Sequence, residues 1–83
     1  MKITFDGQAD ALYIKLNDSE IIDSEEIWHG VNYYYGVNDT IVGVEVVSVK
    51  EQPKDLYKRI AHLLSAEDLS ELSQFFKLKA NAL

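Results

Sequence analysis

An 83-residue chain suffices for one domain and no more, and a domain this small buries only about 60–65% of the surface its unfolded chain exposes. There is no cysteine, so disulfides and thiolate metal sites are excluded and self-association remains as a source of added stability. A net charge of −6, from 14 acidic and 8 basic residues, speaks against a nucleic-acid partner, since phosphate needs a basic surface; it leaves plain solubility or a small basic protein as partner.

Met1 and Lys2 run straight into a strand-like pattern, with no apolar stretch of the kind a signal peptide requires. The longest apolar run, Ile41 to Val44, is far too short to cross a bilayer. Together with the missing cysteines, this leads to the expectation of a soluble, cytoplasmic protein with no membrane partner.

"KITF" at residues 2–5 alternates polar and apolar side chains, the period of a half-buried strand. Asp6-Gly7 is a hairpin signal. "ALYIKL" alternates again, with Leu12, Ile14 and Leu16 on one face and Tyr13 and Lys15 on the other. The two runs are expected to pair as an antiparallel hairpin. Asn17 to Glu20 forms the second turn by composition.

A long extended segment follows, from about Ile21 to Tyr35, with Gly30 expected to mark a bulge or bend in it. Beyond Gly30, Val31, Tyr33 and Tyr35 share one face, and Asn32 and Tyr34 the other. Gly36 to Asp39 is the third turn. "TIVGVEVVSV" is the fourth strand, rich in β-branched residues. Glu45 sets its parity, because a carboxylate avoids the covered face: Val42, Val44 and Val46 point in, and Ile41, Gly43, Glu45 and Val47 point out.

At Pro53 the period changes. Leu56, Ile60, Leu63 and Leu64 form one stripe of a helix, and Pro53 suits its first turn. Ser65 followed by Asp68 resembles a capping box for a second helix, which carries Leu69, Leu72, Phe75 and Phe76 on one face. The packing pattern gives out in "KLKANAL", where the helix is expected to fray.

The blocks "ITFDGQADALYIKL" and "GVNYYYGVNDTIVGVEVV" resemble domain-of-unknown-function family 2283, a bacterial and cyanobacterial family. The matching positions are Phe5, Asp6, Ala9, Asp10, Ala11, Leu12, Tyr13 and Ile14, then Gly30 and Val31, then Ile41, Val42, Gly43, Val44, Glu45 and Val46. The resemblance spans roughly residues 2–50 and implies a small β-meander with a helical end. It departs from the family pattern at Gln8, Asn32, Tyr33 and Tyr34. It implies no established activity or catalytic residues. Members encoded beside small toxin-like proteins make an antitoxin-like role conceivable.

Three consecutive tyrosines in a strand cannot form one platform, because neighbours point to opposite faces. Tyr33 and Tyr35 are expected in the core, and Tyr34 on the other side. That second face collects Tyr13, Asn32, Tyr34, Ile41, Glu45 and Val47, with Trp28 joining if the bend at Gly30 keeps the register. Mixed with Lys2, Thr4 and Lys15, it reads either as scattered exposed apolar groups or as a contact surface for a second copy or a partner. Asp10 is expected to satisfy loop N–H groups and not a metal. Asp6, Asp10 and Glu45 lack calcium-loop spacing, and His29 and His62 lie in different elements. No serine sits in a nucleophile elbow, and the four glycines are isolated.

The fold expected is α+β in a single domain, residues 1–83: a four-stranded antiparallel meander over 1–50 in order 1-2-3-4, then a helical tail over 51–83 with two helices packed on the sheet. The function expected is a small protein–protein interaction module, forming a homodimer and possessing a regulatory or antitoxin-like partner. The alternative is a small-molecule binder using a cleft between sheet and helices. No enzyme activity, cofactor or metal is expected.

Overall fold

The computed structural model describes residues 1–82, and the side chains of residues 1–77. The chain divides into two units, Met1–Gln52 and Pro53–Leu83.

The first unit is one antiparallel sheet of five strands: β1 (Lys2–Asp6), β2 (Ala11–Lys15), β3 (Asp23–Trp28), β4 (Val31–Tyr35) and β5 (Ile41–Val46). Their spatial order is β1-β2-β5-β4-β3. The architecture is therefore α+β with an antiparallel sheet and a C-terminal helix, but two expectations are corrected. The segment from 21 to 35 is not one bent strand. Gly30, at φ 86°, sits in the tight turn between Trp28 and Val31, where its freedom at positive φ lets the chain reverse. The strand count is thus five. Nor is the sheet a meander: β5 inserts between β2 and β4, so two hairpins are joined by the last strand. The bulge lies one step earlier, where the β3–β4 register shifts between Glu26 and Trp28.

The parity read from Glu45 is correct in the centre of the sheet. Ile14, Val31, Val44 and Val46 are 0% exposed, and Tyr33 is 6% exposed. Ile3 and Phe5 of β1 lie on the same side, opposite Ile14 and Leu12, and are half-buried. Tyr35 is also half-buried, and its hydroxyl donates to Glu25 Oε1 at 3.2 Å.

Two aspartates tie the first hairpin together. Asp6 Oδ1 accepts from the amides of Gln8 (3.0 Å) and Ala9 (3.2 Å), a side-chain-closed turn. Asp10 has φ 52°. Its carboxylate accepts from the Lys50 amide at 2.9 Å and its carbonyl from the Val49 amide at 3.1 Å. This is the loop-satisfying role expected of it, but with a partner 40 residues away.

In the second unit, α1 covers only Leu56–Arg59, and a 3₁₀ turn over Ala61–Leu63 follows. The continuous first helix expected through Leu64 is broken at Ile60, whose φ and ψ of −102° and 3° leave the helical well. Leu56, Ile60 and Leu72 are buried. α2 runs from Ala66 to Ala82. Ser65 caps it as expected, its hydroxyl accepting from the Asp68 amide at 3.1 Å. The Tyr57 ring stacks on Phe76 at 6.1 Å, and Phe75 meets Phe76 edge-on at 5.7 Å. The helix continues through most of the segment expected to fray; Leu83 and the side chains from 78 onward lie outside the described residues. Among the described residues, no helix is long and apolar enough to cross a membrane.

Candidate functional site

The register places four of the expected residues side by side. Tyr13 pairs with Glu45 across β2–β5, and Glu45 with Asn32 across β5–β4. One step along, Lys15 pairs with Gly43, and Gly43 with Tyr34. All lie on the face opposite Val44 and Tyr33, as alternation requires.

Gly43 is the reason they fit. A Cβ at this position would collide with the Tyr13 hydroxyl and stand 2.6 Å from its Cζ and 3.0 Å from the Ile14 carbonyl oxygen. The Tyr13 ring thus fills the space the missing side chain leaves, the way aromatic residues cover glycine in sheets. Tyr34 meets that ring edge-on, with centroids 5.9 Å apart and planes at 64°, a favoured aromatic geometry. Its hydroxyl donates to Glu45 Oε1 at 3.1 Å, and the Asn32 amide approaches the same oxygen at 3.5 Å. Partial burial, then the negative charge of Glu45, then this hydrogen bond, hold the Tyr34 hydroxyl above the ordinary tyrosine range. Burial alone raises Tyr33.

The cluster is half-buried: Tyr13, Asn32, Tyr34 and Glu45 each keep some surface in water, while Gly43 is buried. Around it Lys2, Thr4, Lys15, Ser24 and Glu26 are exposed. The Lys15 ammonium is held by Asp18 at 2.7 Å, which raises the lysine and lowers the aspartate. The arrangement offers aromatic edges at the centre, a carboxylate already engaged by its neighbours, and a charged rim.

Of the other expected residues, Trp28 and Val47 lie elsewhere. Trp28 pairs with Val31, so the shift after Glu26 has moved it to the Tyr33 side of the sheet. The condition for its joining the cluster is not met. Its indole N–H donates to Gln52 Oε1 at 3.0 Å. Gln52 Nε2 in turn donates to the carbonyls of His29 (3.1 Å) and Val47 (3.0 Å). Val47 lies just past the end of β5, and its amide donates to the Gly30 carbonyl at 2.8 Å. A Cβ on Gly30 would collide with Gln52 Nε2 and stand 3.0 Å from the Val47 carbonyl oxygen. Trp28 and Val47 therefore belong to a lock around the hairpin tip. Gln52, its hub, went unnoticed in the sequence, where a lone glutamine before Pro53 carries no signal. Ile41 lies past a second register shift, between Tyr34 and Tyr35, and its carbonyl accepts from Asn17 Nδ2 at 3.0 Å. Parity across that shift does not place Ile41 with Tyr13.

An open depression of about 350 Å³ is lined by Met1, Lys2, Lys15, Leu16, Asn17 and Asp18. It shares no residue with the aromatic cluster.

The fold and the cluster define a small α+β protein built on two antiparallel hairpins closed by a central strand. The chain belongs to the family described as Protein of unknown function (DUF2283), whose model matches residues 2–50, the whole of β1 through β5. No curated protein and no solved structure matches it.

Proposed function

We propose that this protein is a small cytoplasmic protein–protein interaction module that associates with itself through its sheet. One observation carries the proposal: Tyr13 and Tyr34 meet in the middle of a sheet face whose margin is exposed Lys2, Thr4, Lys15 and Glu26. A centre of tyrosine with a polar, charged rim is the composition of interfaces, where aromatic residues concentrate in the core of the patch. A domain of 83 residues has little core of its own, so added burial is worth having. At −6 per chain, repulsion opposes pairing, and association should strengthen as salt screens it.

A second reading, a regulatory or antitoxin-like complex with a small basic protein, is favoured by β3, where Asp23, Glu25 and Glu26 are all exposed. Sedimentation velocity separates the two. At about 100 μM, above the micromolar dissociation constants that small interfaces give, the first reading expects a dimer that grows stronger from low to moderate salt. A monomer in both buffers would end the self-association reading and leave the basic partner.

A further inference from the structure

We infer that β1 is the edge through which two copies join, pairing antiparallel about a two-fold axis at Thr4 to make one continuous ten-stranded sheet. This rests only on the self-association proposed above, and it moves the contact from the Tyr13–Tyr34 face to the strand edge beside it, where Thr4 pairs with Tyr13.

The sheet has two outer strands, β1 and β3. They differ in chemistry. β3 reads DSEEIW and is exposed except at Trp28. Pairing two such strands antiparallel would set acid against acid, and like charges directly opposite repel. Its register is also interrupted after Glu26. Both are devices that keep an edge from accepting another strand.

β1 reads KITFD and alternates exposed Lys2, Thr4 and Asp6 with half-buried Ile3 and Phe5. A two-fold axis at Thr4 sets Lys2 opposite Asp6 of the second copy, Ile3 opposite its Phe5, and the two threonines opposite each other. This register alone uses all five residues of the strand. A slip of one residue would put polar opposite apolar across the sheet, which the buried face forbids. A slip of two would keep the faces but lose both charge pairs. The full-length register is thus the one in which charge and hydrophobicity match together.

The neighbouring hairpin contributes to the fit. Within the chain, Lys2 lies opposite Lys15, and Asp18 binds Lys15 at 2.7 Å. The second copy would bring Asp6 to the other flank of Lys2. Asp6 is held at the strand end by the amides of Gln8 and Ala9, both on Oδ1, and its second oxygen can accept from the lysine. The joined sheet would end at both margins in the acidic β3, so growth stops at two and no fibre follows.

The chain has no cysteine, which makes register testable by single cysteines on the full-length protein. Facing residues of antiparallel strands have Cα atoms about 4.5–5.5 Å apart, within disulfide range. Thr4→Cys should cross-link to a dimer under mild oxidation, and Lys2→Cys should not. Lys2→Asp, which leaves the Asp6 turn intact, should weaken dimerisation roughly tenfold by converting two attractive pairs to two repulsive ones. Its melting curve verifies folding. A wild-type dimer that Lys2→Asp leaves unchanged, with Thr4→Cys no more cross-linked than Lys2→Cys, would overturn the β1 edge while leaving self-association standing. A wild-type monomer would overturn both.

Discussion

The two faces of the β4–β5 pair are built from alternate residues of the same strands, yet they hold together differently. On one side Val31, Tyr33, Val44 and Val46 are between 0% and 6% exposed, and close packing of interchangeable apolar volume is the binding force. On the other, Asn32, Tyr34, Gly43 and Glu45 are joined with Tyr13 through fitted exceptions: a glycine that makes room for the Tyr13 ring, on which Tyr34 packs, and a carboxylate that takes the Tyr34 phenol and the Asn32 amide. The first face depends chiefly on apolar volume and shape. The second depends on particular partners, so its residues should be coupled in ways the first face is not.

The largest effect is expected on the packed face. Tyr33→Ala should cost roughly 3 kcal/mol or more in chemical denaturation, as for large aromatic residues removed from a core. If Tyr34→Ala destabilised the protein equally, the contrast between the faces would be lost. Next comes Gly43→Val, which must displace the Tyr13 ring and should cost about 1–3 kcal/mol. Adding Tyr13→Ala should return part of that loss, a coupling of at least about 0.5 kcal/mol; simple additivity would show that the ring does not depend on the glycine. The smallest effect is that of Tyr34→Phe, under about 1 kcal/mol at neutral pH, and it should be more visible in alkali. Tyr33, Tyr34 and Tyr35 are all raised above the ordinary tyrosine value. Each therefore keeps its proton longer folded than unfolded. The stability this gives is complete below about pH 10, the unfolded value, and is lost as pH rises through the folded values. Melting temperature against pH should fall less steeply on that limb in Tyr34→Phe than in the parent.

Those residues were within reach of sequence reasoning because Glu45 oriented β5, and alternation carried the orientation to Tyr13, Asn32 and Tyr34. Where alternation was broken, it failed. The shift after Glu26 turned Trp28 over, and the one at Tyr34–Tyr35 removed the basis for placing Ile41. The hairpin at Gly30 was missed for a related reason. Its turn, His29-Gly30, is not an Asn-Gly or Asp-Gly pair, and Ile21, Ile22 and Ile27 simulate a buried strand although they are 45%, 60% and 37% exposed. Topology failed on a default: consecutive strands usually lie side by side. A cue was present in β5 itself, where Val42, Gly43, Val44 and Val46 are buried and the only charge is Glu45, the composition of a strand with neighbours on both sides. Local signals with short reach, such as the Ser65 cap and the Asp6 turn, were legible because they need nothing from distant chain.

The central place of β5 has a consequence in time. The β1–β2 and β3–β4 hairpins are each complete before residue 41 is reached, and neither pairs with the other. Two-stranded hairpins alone are marginal in water, so a nascent chain up to that point holds two fleeting ribbons, each with an unsatisfied inner margin. β5 then zips both at once, and the Asp10 bond to Lys50 closes a loop across 40 residues. Because distant segments must meet before this step brings any reward, acquisition of the sheet is expected to be the slow event, set by chain closure and not by turn formation. Until it occurs, the same β2 and β4 margins that β5 will occupy are open to a β5 from another chain, which makes strand exchange during synthesis the characteristic error of this topology.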